Sequence, residues 1–118
     1  MPQIENPLLQ EIVQKDWIDY NGHMTDAAYA IVFSMAVDQF IIALGINANF
    51  RNKHQYSIYT LETHLCYLAE AHEGQSLQVK VQLLDYDTKR LHAFFTMENE
   101  KGDQLATSEQ MLMGIDMN

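Results

Sequence analysis

The segment from Ala27 to Leu44 constrains the fold more than any other part of this sequence. Drawn as a helix it is apolar over most of its circumference, with Ser34, Asp38 and Gln39 as its polar members. A helix of this kind has to be covered by other elements. A charged side chain near the centre of a membrane span would cost about 2.5–3.5 kcal/mol. The segment is therefore predicted to be a buried helix of a globular protein, ending at Gly45.

The rest of the sequence supplies strands that can cover this helix. Apolar and polar residues alternate in several segments, which is the period of a half-buried strand. Five strands are predicted, at Leu8–Val13, Tyr56–Leu68, Leu77–Leu83, Leu91–Glu98 and Gln104–Ile115. Short turn-rich segments join the last four. This order predicts an α+β fold, with a five-stranded antiparallel sheet wrapped around one long central helix.

Composition narrows the classes of function. The chain has 118 residues, enough for one domain, and a formal net charge of −9. Such an acidic chain gains nothing from the phosphate backbone of a nucleic acid, so no nucleic-acid partner is expected. The single cysteine, Cys66, and a first segment without a leader-like apolar run indicate a cytoplasmic protein. The five histidines are scattered and form no metal-binding motif, so no metal site is expected.

The turn before the helix carries a recognisable motif. Asp19–Met24 reads Asp-Tyr-Asn-Gly-His-Met, and it resembles the Asp-x-x-Gly-His signature of hotdog-fold acyl-CoA thioesterases of the 4-hydroxybenzoyl-CoA thioesterase type. The order of elements from Leu8 onward is also similar to that family. The resemblance implies a single hotdog thioesterase domain over residues 1–118. It also implies hydrolysis without a metal or redox cofactor. Coenzyme A (CoA) is part of the substrate and is not counted as a cofactor.

Four segments are similar to a narrower group, the betainyl-CoA thioesterase domains associated with L-carnitine dehydrogenase. These segments are Trp17–Thr25, Tyr59–His64, Lys89–His92 and Glu109–Leu112. The resemblance implies cleavage of betainyl-CoA to betaine and free CoA in carnitine breakdown. Two alternatives stay open: a thioesterase for another short or aromatic acyl-CoA, and a non-catalytic hotdog module that binds acyl-CoA.

The turn residues before the helix are the candidate catalytic groups. Thioester hydrolysis needs a carboxylate that attacks the carbonyl or activates water, and donors for the developing oxyanion. Asp19 is the candidate carboxylate, since the helix dipole would keep it ionised. The backbone N–H groups of Gly22, His23 and Met24 are the candidate donors, and Gly22 would let that backbone approach the substrate. The His23 ring either donates to the carbonyl or packs in the turn, and Asp19 and Asn21 could be ordinary turn residues.

A second carboxylate, Glu62, lies in the long second strand. Glu62 and His64 are predicted to share one face with Ile58 and Thr60, because positions two apart point the same way. Facing the helix, Glu62 would be a buried carboxylate, which is costly without a partner. It would then assist Asp19 or face a cationic acyl group. The alternative is an exposed acidic residue.

Substrate contacts are predicted from aromatic and basic residues. A betainyl group ends in a quaternary ammonium, which aromatic faces bind with about 0.5–2 kcal/mol per contact. The candidates around the acyl group are Trp17, Tyr20, Asn21, Tyr29, Tyr59 and His64, with Phe33, Tyr56 and Tyr67 as further aromatic residues that could instead be core. The candidates for the CoA phosphates are Lys89, Arg90 and His92, with Arg51 and Lys53 as a second option and a solvated turn as the alternative.

The predicted sheet has open edges and leaves the helix incompletely covered. The family resemblance implies that such sheets pair across a two-fold axis, with active sites at the interface. A homodimer or homotetramer that binds acyl-CoA and no membrane is therefore predicted.

Overall fold

The structure, a computed structural model, describes residues 4–117. Five strands form one antiparallel sheet in the order β1-β3-β4-β5-β2. They are β1 (Leu9–Ile12), β2 (Tyr56–Tyr67), β3 (Ser76–Tyr86), β4 (Arg90–Asn99) and β5 (Gln104–Asp116). Helix α1 (Asp26–Ala43) packs against one face, so the predicted α+β architecture is confirmed. The ends of the predicted domain, residues 1–3 and 118, lie outside the described residues.

One side of α1 is buried, which explains why this segment folds onto the sheet. The buried residues recur every three or four positions, and they are Ala28, Tyr29, Val32, Phe33, Ala36, Val37, Phe40 and Ile41. Phe40 meets Phe95 of β4 edge to face, with ring centroids 5.9 Å apart. Full burial of one such side chain is worth about 1.5–3 kcal/mol. The stripe therefore anchors α1 to the centre of the sheet.

The opposite side of α1 stays exposed. Ile31 is 49% exposed and Ile42 is 46% exposed, and Ser34 and Asp38 lie on the same side. By length and composition α1 could cross a membrane, yet 44% of it is buried inside the domain. A single sheet covers one side of a helix, so the remaining side has no cover from residues 4–117.

A second helix, α2 (Ala48–His54), was not predicted. Asn47 caps the N-terminus of this helix, because its side chain accepts a hydrogen bond from the Phe50 N–H at 2.9 Å. The helix ends at Gln55, which has a φ of 51°. Arg51 and Lys53, the second option for the CoA phosphates, thus lie in this helix. A seven-residue helix carries too few periodic positions to be recognised from the sequence.

Strand β2 contains a β-bulge that changes which side chains face α1. The pairing with β5 shifts between Thr60 and Glu62, so Leu61 is an extra residue in the strand. Thr60 lies opposite the buried Leu112, whereas Glu62 lies opposite Met111 on the other face. The prediction that Glu62 and His64 share a face with Ile58 and Thr60 is wrong, because one inserted residue reverses the alternation.

Truncation of a fully buried aromatic residue of α1 should destabilise the domain strongly. We expect Phe40→Ala to lower the free energy of unfolding by about 3–5 kcal/mol, through lost burial and the cavity that remains. Ile12→Ala, at a residue that is 52% exposed, should cost less than about 1 kcal/mol. Urea denaturation at one fixed protein concentration measures both. Equal losses would show that the Phe40–Phe95 contact is not the anchor.

Candidate active site

A tight turn leads from the short 3-10 helix at Lys15–Trp17 into α1. Ile18 and Met24 form an isolated antiparallel bridge, and the N–H of Asp19 donates to the carbonyl of His23 at 2.9 Å. Gly22 has a φ of +82°, a conformation that favours glycine. A Cβ there would have no atom within 4 Å. Gly22 is therefore required by the backbone conformation of the turn and not by crowding inside the chain.

Asp19 is half-buried and is fixed by the turn itself. Its Oδ1 accepts a hydrogen bond from the backbone N–H of Asn21 at 2.9 Å, which leaves Oδ2 outside that bond. The same side chain lines a cavity at the start of α1. A carboxylate held by one oxygen presents the other in a defined direction, as a nucleophile or base requires.

Two of the three predicted oxyanion donors are already used. The N–H of Gly22 donates to the Asp19 carbonyl at 3.0 Å, and the N–H of Met24 donates to the Ala71 carbonyl at 2.8 Å. The N–H of His23 takes part in neither bond. The prediction is therefore wrong for Gly22 and Met24, because the turn and the following chain consume their donors. His23 retains a backbone donor at the start of α1, where the helix dipole favours negative charge.

The cavity beside Asp19 is acidic and aromatic. Its volume is about 330 Å³, and it is lined by Asp19, His23, Met24, Asp26, Tyr29, Tyr67, Leu68, Ala69 and Glu70. Three of these side chains are carboxylates, and none of the described lining residues is a lysine or arginine. A ligand group with positive charge fits such a lining better than an anionic one.

The two tyrosines of this cavity form a pair. The rings of Tyr29 and Tyr67 meet edge to face with centroids 5.3 Å apart. The Tyr29 hydroxyl donates to the Ala69 carbonyl at 3.0 Å, and burial raises the pKa of Tyr29 above its usual value. Burial also raises the pKa of Tyr67, with a further contribution from the Asp26 charge. Both rings therefore stay neutral near pH 7, and a neutral ring keeps the electron-rich face that binds cations.

His23 is paired within the same site. Its Nε2 lies 3.2 Å from Oε2 of Glu70, and its ring meets that of His72 edge to face at 5.3 Å. Glu70 was not among the predicted site residues. It follows β2 in a short connection without a motif, and only the fold brings it to the turn.

Other predicted acyl contacts lie outside the cavity. Tyr20 is 97% exposed, and Trp17 packs partly buried against the core. Asn21 contributes its backbone N–H to Asp19 while the residue stays exposed. The hydroxyl of Tyr59 lies 3.9 Å from the sulfur of Met117, beyond the other end of β2. Of the six acyl-contact candidates, Tyr29 lines the Asp19 cavity, and Tyr67 from the further aromatic candidates lies there beside it.

The outer face of the sheet gathers a separate polar group. Glu62, His64, His92 and Glu109 line a second cavity of about 230 Å³. His92 Nε2 and Glu109 Oε2 are 2.6 Å apart. The structure therefore does not bring Glu62 or His64 to Asp19, and it places His92 with them on the outer face. Within residues 4–117 no three side chains of histidine, cysteine, aspartate or glutamate converge as metal ligands would.

Lys89 and Arg90 lie at the other end of α1. They line a cavity of about 220 Å³ with Leu44 and Tyr56. Since α1 has 18 residues, this end is about 27 Å from the Asp19 turn. The Arg90 guanidinium is held by Asp87 at 2.8 and 3.0 Å. The backbone N–H groups of Lys89 and Arg90, and then this guanidinium, lower the pKa of Asp87 to about 2.

Comparisons with known proteins identify the family. The model of the thioesterase-like superfamily matches residues 13–118. The chain is 41% identical to a betainyl-CoA thioesterase from Pseudomonas aeruginosa over 96% of this chain and 69% of that protein. It is 43% identical to an L-carnitine dehydrogenase/betainyl-CoA thioesterase from Agrobacterium fabrum, over 88% of this chain but only 21% of that longer protein.

Solved structures agree with these sequence matches. A Staphylococcus aureus protein in complex with CoA superposes with a TM-score of 0.88 at 40% identity, over 92% of this chain and 68% of that one. A DHNA-CoA thioesterase from the same organism has a TM-score of 0.83 at 20% identity, over 93% of this chain and 74% of that one, which shows the shared fold. The chain belongs to the thioesterase-like superfamily and has its hotdog fold.

Proposed function

We propose that the chain hydrolyses acyl-CoA thioesters and that its substrate is betainyl-CoA. The observation that carries the proposal is the cavity at the start of α1, which combines Asp19 with an acidic, aromatic lining. Relatives that are 41% and 43% identical are named for betainyl-CoA hydrolysis, which supports the same substrate here. The products are betaine and free CoA, and the reaction belongs to carnitine breakdown.

Asp19 supplies the reactive carboxylate. It either attacks the carbonyl carbon and forms a mixed anhydride that water then hydrolyses, or removes a proton from the attacking water. In both routes the C–S bond breaks and CoA leaves as a thiolate, which takes up a proton. The backbone N–H of His23 donates to the carbonyl oxygen as negative charge develops there, aided by the positive end of α1. Gly22 serves this chemistry by forming the turn.

The trimethylammonium group of betainyl-CoA occupies the tyrosine side of the cavity. A quaternary ammonium donates no hydrogen bond, so it depends on ring faces and nearby negative charge. Tyr67 is 51% exposed and pairs with Tyr29, and Asp26 adds a carboxylate to the same lining. An acyl group that ends in a carboxylate would meet like charge there and is excluded.

A homodimer joins the two halves of the site. Strand β2 is a sheet edge of 12 residues, and Tyr67 lies at the Asp26 end of α1 while Tyr56 lies at the Leu44 end. Two copies related by a two-fold axis would pair their β2 strands antiparallel. The Tyr67 end of one copy then meets the Tyr56 end of the other, and the Asp19 cavity of each copy faces Lys89 of its neighbour.

This pairing also covers the exposed side of α1 and gives CoA a binding path across the interface. Lys89 is the more available phosphate contact, because Asp87 already holds Arg90. The proposed assembly is a homodimer, or a homotetramer of two such dimers. The chain acts as a single cytoplasmic domain, without metal, redox cofactor, nucleic acid or membrane.

Removal of the carboxylate should abolish turnover. We expect Asp19→Asn to lower kcat by about a thousandfold, because the amide neither attacks nor accepts the proton. Asp16→Asn, at an exposed acid of the preceding helical turn, should keep kcat within twofold. Thiol release from betainyl-CoA, followed with a chromogenic reagent, measures both. Full activity of Asp19→Asn would refute the proposed mechanism, and binding without any release by the unaltered protein would favour a non-catalytic module.

The charge of the acyl group should decide substrate preference. Tert-butylacetyl-CoA has the shape of betainyl-CoA with carbon in place of the charged nitrogen. We expect kcat/KM for betainyl-CoA to exceed that for this neutral analogue by about tenfold or more. Tyr67→Leu should reduce the preference, whereas Tyr20→Leu, at a side chain that is 97% exposed and lies outside the cavity, should retain it. Equal kcat/KM values for the two substrates in the unaltered protein would exclude a cation-specific site.

A mixing experiment tests whether each site uses two copies. Asp19→Asn lacks the carboxylate, and Lys89→Glu should have a raised KM because it opposes the CoA phosphates. Mixed dimers of the two variants contain one site with both native residues. We expect activity at low betainyl-CoA concentration to rise well above that of either variant after the two are denatured together and refolded. No recovery, with mixed dimers verified by mass spectrometry, would contradict a shared site.

A further inference from the structure

The segment that follows β2 holds the Asp19 turn through several contacts. We call Ala69–His72 the clasp. The contacts are Met24 N–H to Ala71 O at 2.8 Å, Tyr29 hydroxyl to Ala69 O at 3.0 Å, and His23 Nε2 to Glu70 Oε2 at 3.2 Å. The first and third bind the residues on either side of the His23–Met24 peptide bond. The His23 N–H lies in the preceding peptide bond, so the clasp holds the residue that carries the proposed oxyanion donor and the peptide bond that follows it.

The Glu70 contact determines how the His23 ring is used. Glu70 Oε2 can only accept a hydrogen bond or pair with a positive charge, and it lies 3.2 Å from Nε2 of His23. This part of the ring is therefore taken up by Glu70 and by the edge-to-face contact with His72. The ring links the turn to the clasp and so limits the positions that His23 can take.

The pair contributes more to geometry than to folding. The Glu70 side chain is 64% exposed and that of His23 is 35% exposed, and an ion pair in such surroundings adds little to stability. Its place beside the only unused donor among Gly22, His23 and Met24 is what gives it a role. A small misplacement of a catalytic group costs rate even when the fold is intact.

We propose that Glu70 is a positioning residue, which acts through the His23 ring to hold the His23 backbone N–H and Asp19 in register with the thioester carbonyl. This inference rests on the proposed function and adds a residue that contacts neither the carbonyl nor the cationic group. The loss of Glu70 should therefore lower kcat and leave KM nearly unchanged.

The first test compares two glutamates of the same connection. We expect Glu70→Gln to lower kcat about tenfold with KM within twofold, for both betainyl-CoA and tert-butylacetyl-CoA. Glu73→Gln, at an exposed residue three positions later, should change neither constant. The thermal midpoint should stay the same in both variants. A raised KM confined to betainyl-CoA would mean that Glu70 binds the cation directly, and would overturn the proposal.

The second test separates a positioning ring from a catalytic ring. In His23→Gln the side-chain amide can still donate to Glu70, so kcat should stay within about threefold of the original, whereas His23→Ala should lose about tenfold. The double variant of Glu70→Gln with His23→Ala should be no slower than His23→Ala, because both changes remove one contact. Equal damage from His23→Gln and His23→Ala, or full additivity, would contradict the proposal.

The proposed function and this inference can fail separately. If the unaltered protein releases no thiol from any acyl-CoA, the proposed function fails. The ring nitrogen NMR shifts of His23 still report on Glu70 in that case. They should change in Glu70→Gln and not in Glu73→Gln, and unchanged shifts in both would remove the contact on which the inference depends.

Discussion

Burial of one side of α1 against the sheet is the constraint on which the rest of the structure depends. Phe40 packs against Phe95 near the C-terminal end of the helix, and the stripe of eight buried residues fixes the helix rotation. With the rotation fixed, the first turn of α1 presents Asp26 and Tyr29 to the cavity that Asp19 lines. The same rotation leaves Ile31 and Ile42 exposed on the side of α1 away from its buried stripe, so the packing of this helix produces both the candidate site and the exposed apolar surface for which we propose a second copy.

The β-bulge at Leu61 reverses the alternation of side chains between the two faces of β2. Without it, the strand that brings Thr60 to the helix side would bring the Glu62 carboxylate there as well. The extra residue sends Glu62 and His64 to the outer face, next to the His92–Glu109 pair. Thr60 and Thr63 of β2 line a groove against α1 in which Asp38 is the carboxylate among the described lining residues. Asp19, Asp26 and Glu70 lie together at the N-terminal end of α1.

The hydrogen bonds of the turn define the candidate site more narrowly than the positions of its residues do. The bridge between Ile18 and Met24 gives the turn its shape, and the bond from the Met24 N–H to the Ala71 carbonyl removes Met24 as a donor. The surviving donor, on His23, is the one whose side chain is held by Glu70. The acidic lining and the neutral tyrosine pair support the proposed cationic acyl group, and the distance of Lys89 from Asp19 supports the proposed site between two copies.

The sequence by itself determined the long apolar helix, the five strands, the turn before the helix and the place of Asp19 in it, because each depends on local period, turn chemistry or a contiguous motif. The alternation of apolar and polar residues does not reveal an inserted residue. The face of the sheet on which Glu62 and His64 lie was therefore decided by the pairing of β2 with β5. Only the tertiary structure decided three further features. They are the hydrogen bonds that use the N–H groups of Gly22 and Met24, the contact between the two tyrosines, and the contact of Glu70 with His23. Each of these joins segments far apart in the chain, or depends on the path of the backbone, and neither leaves a signal in local composition.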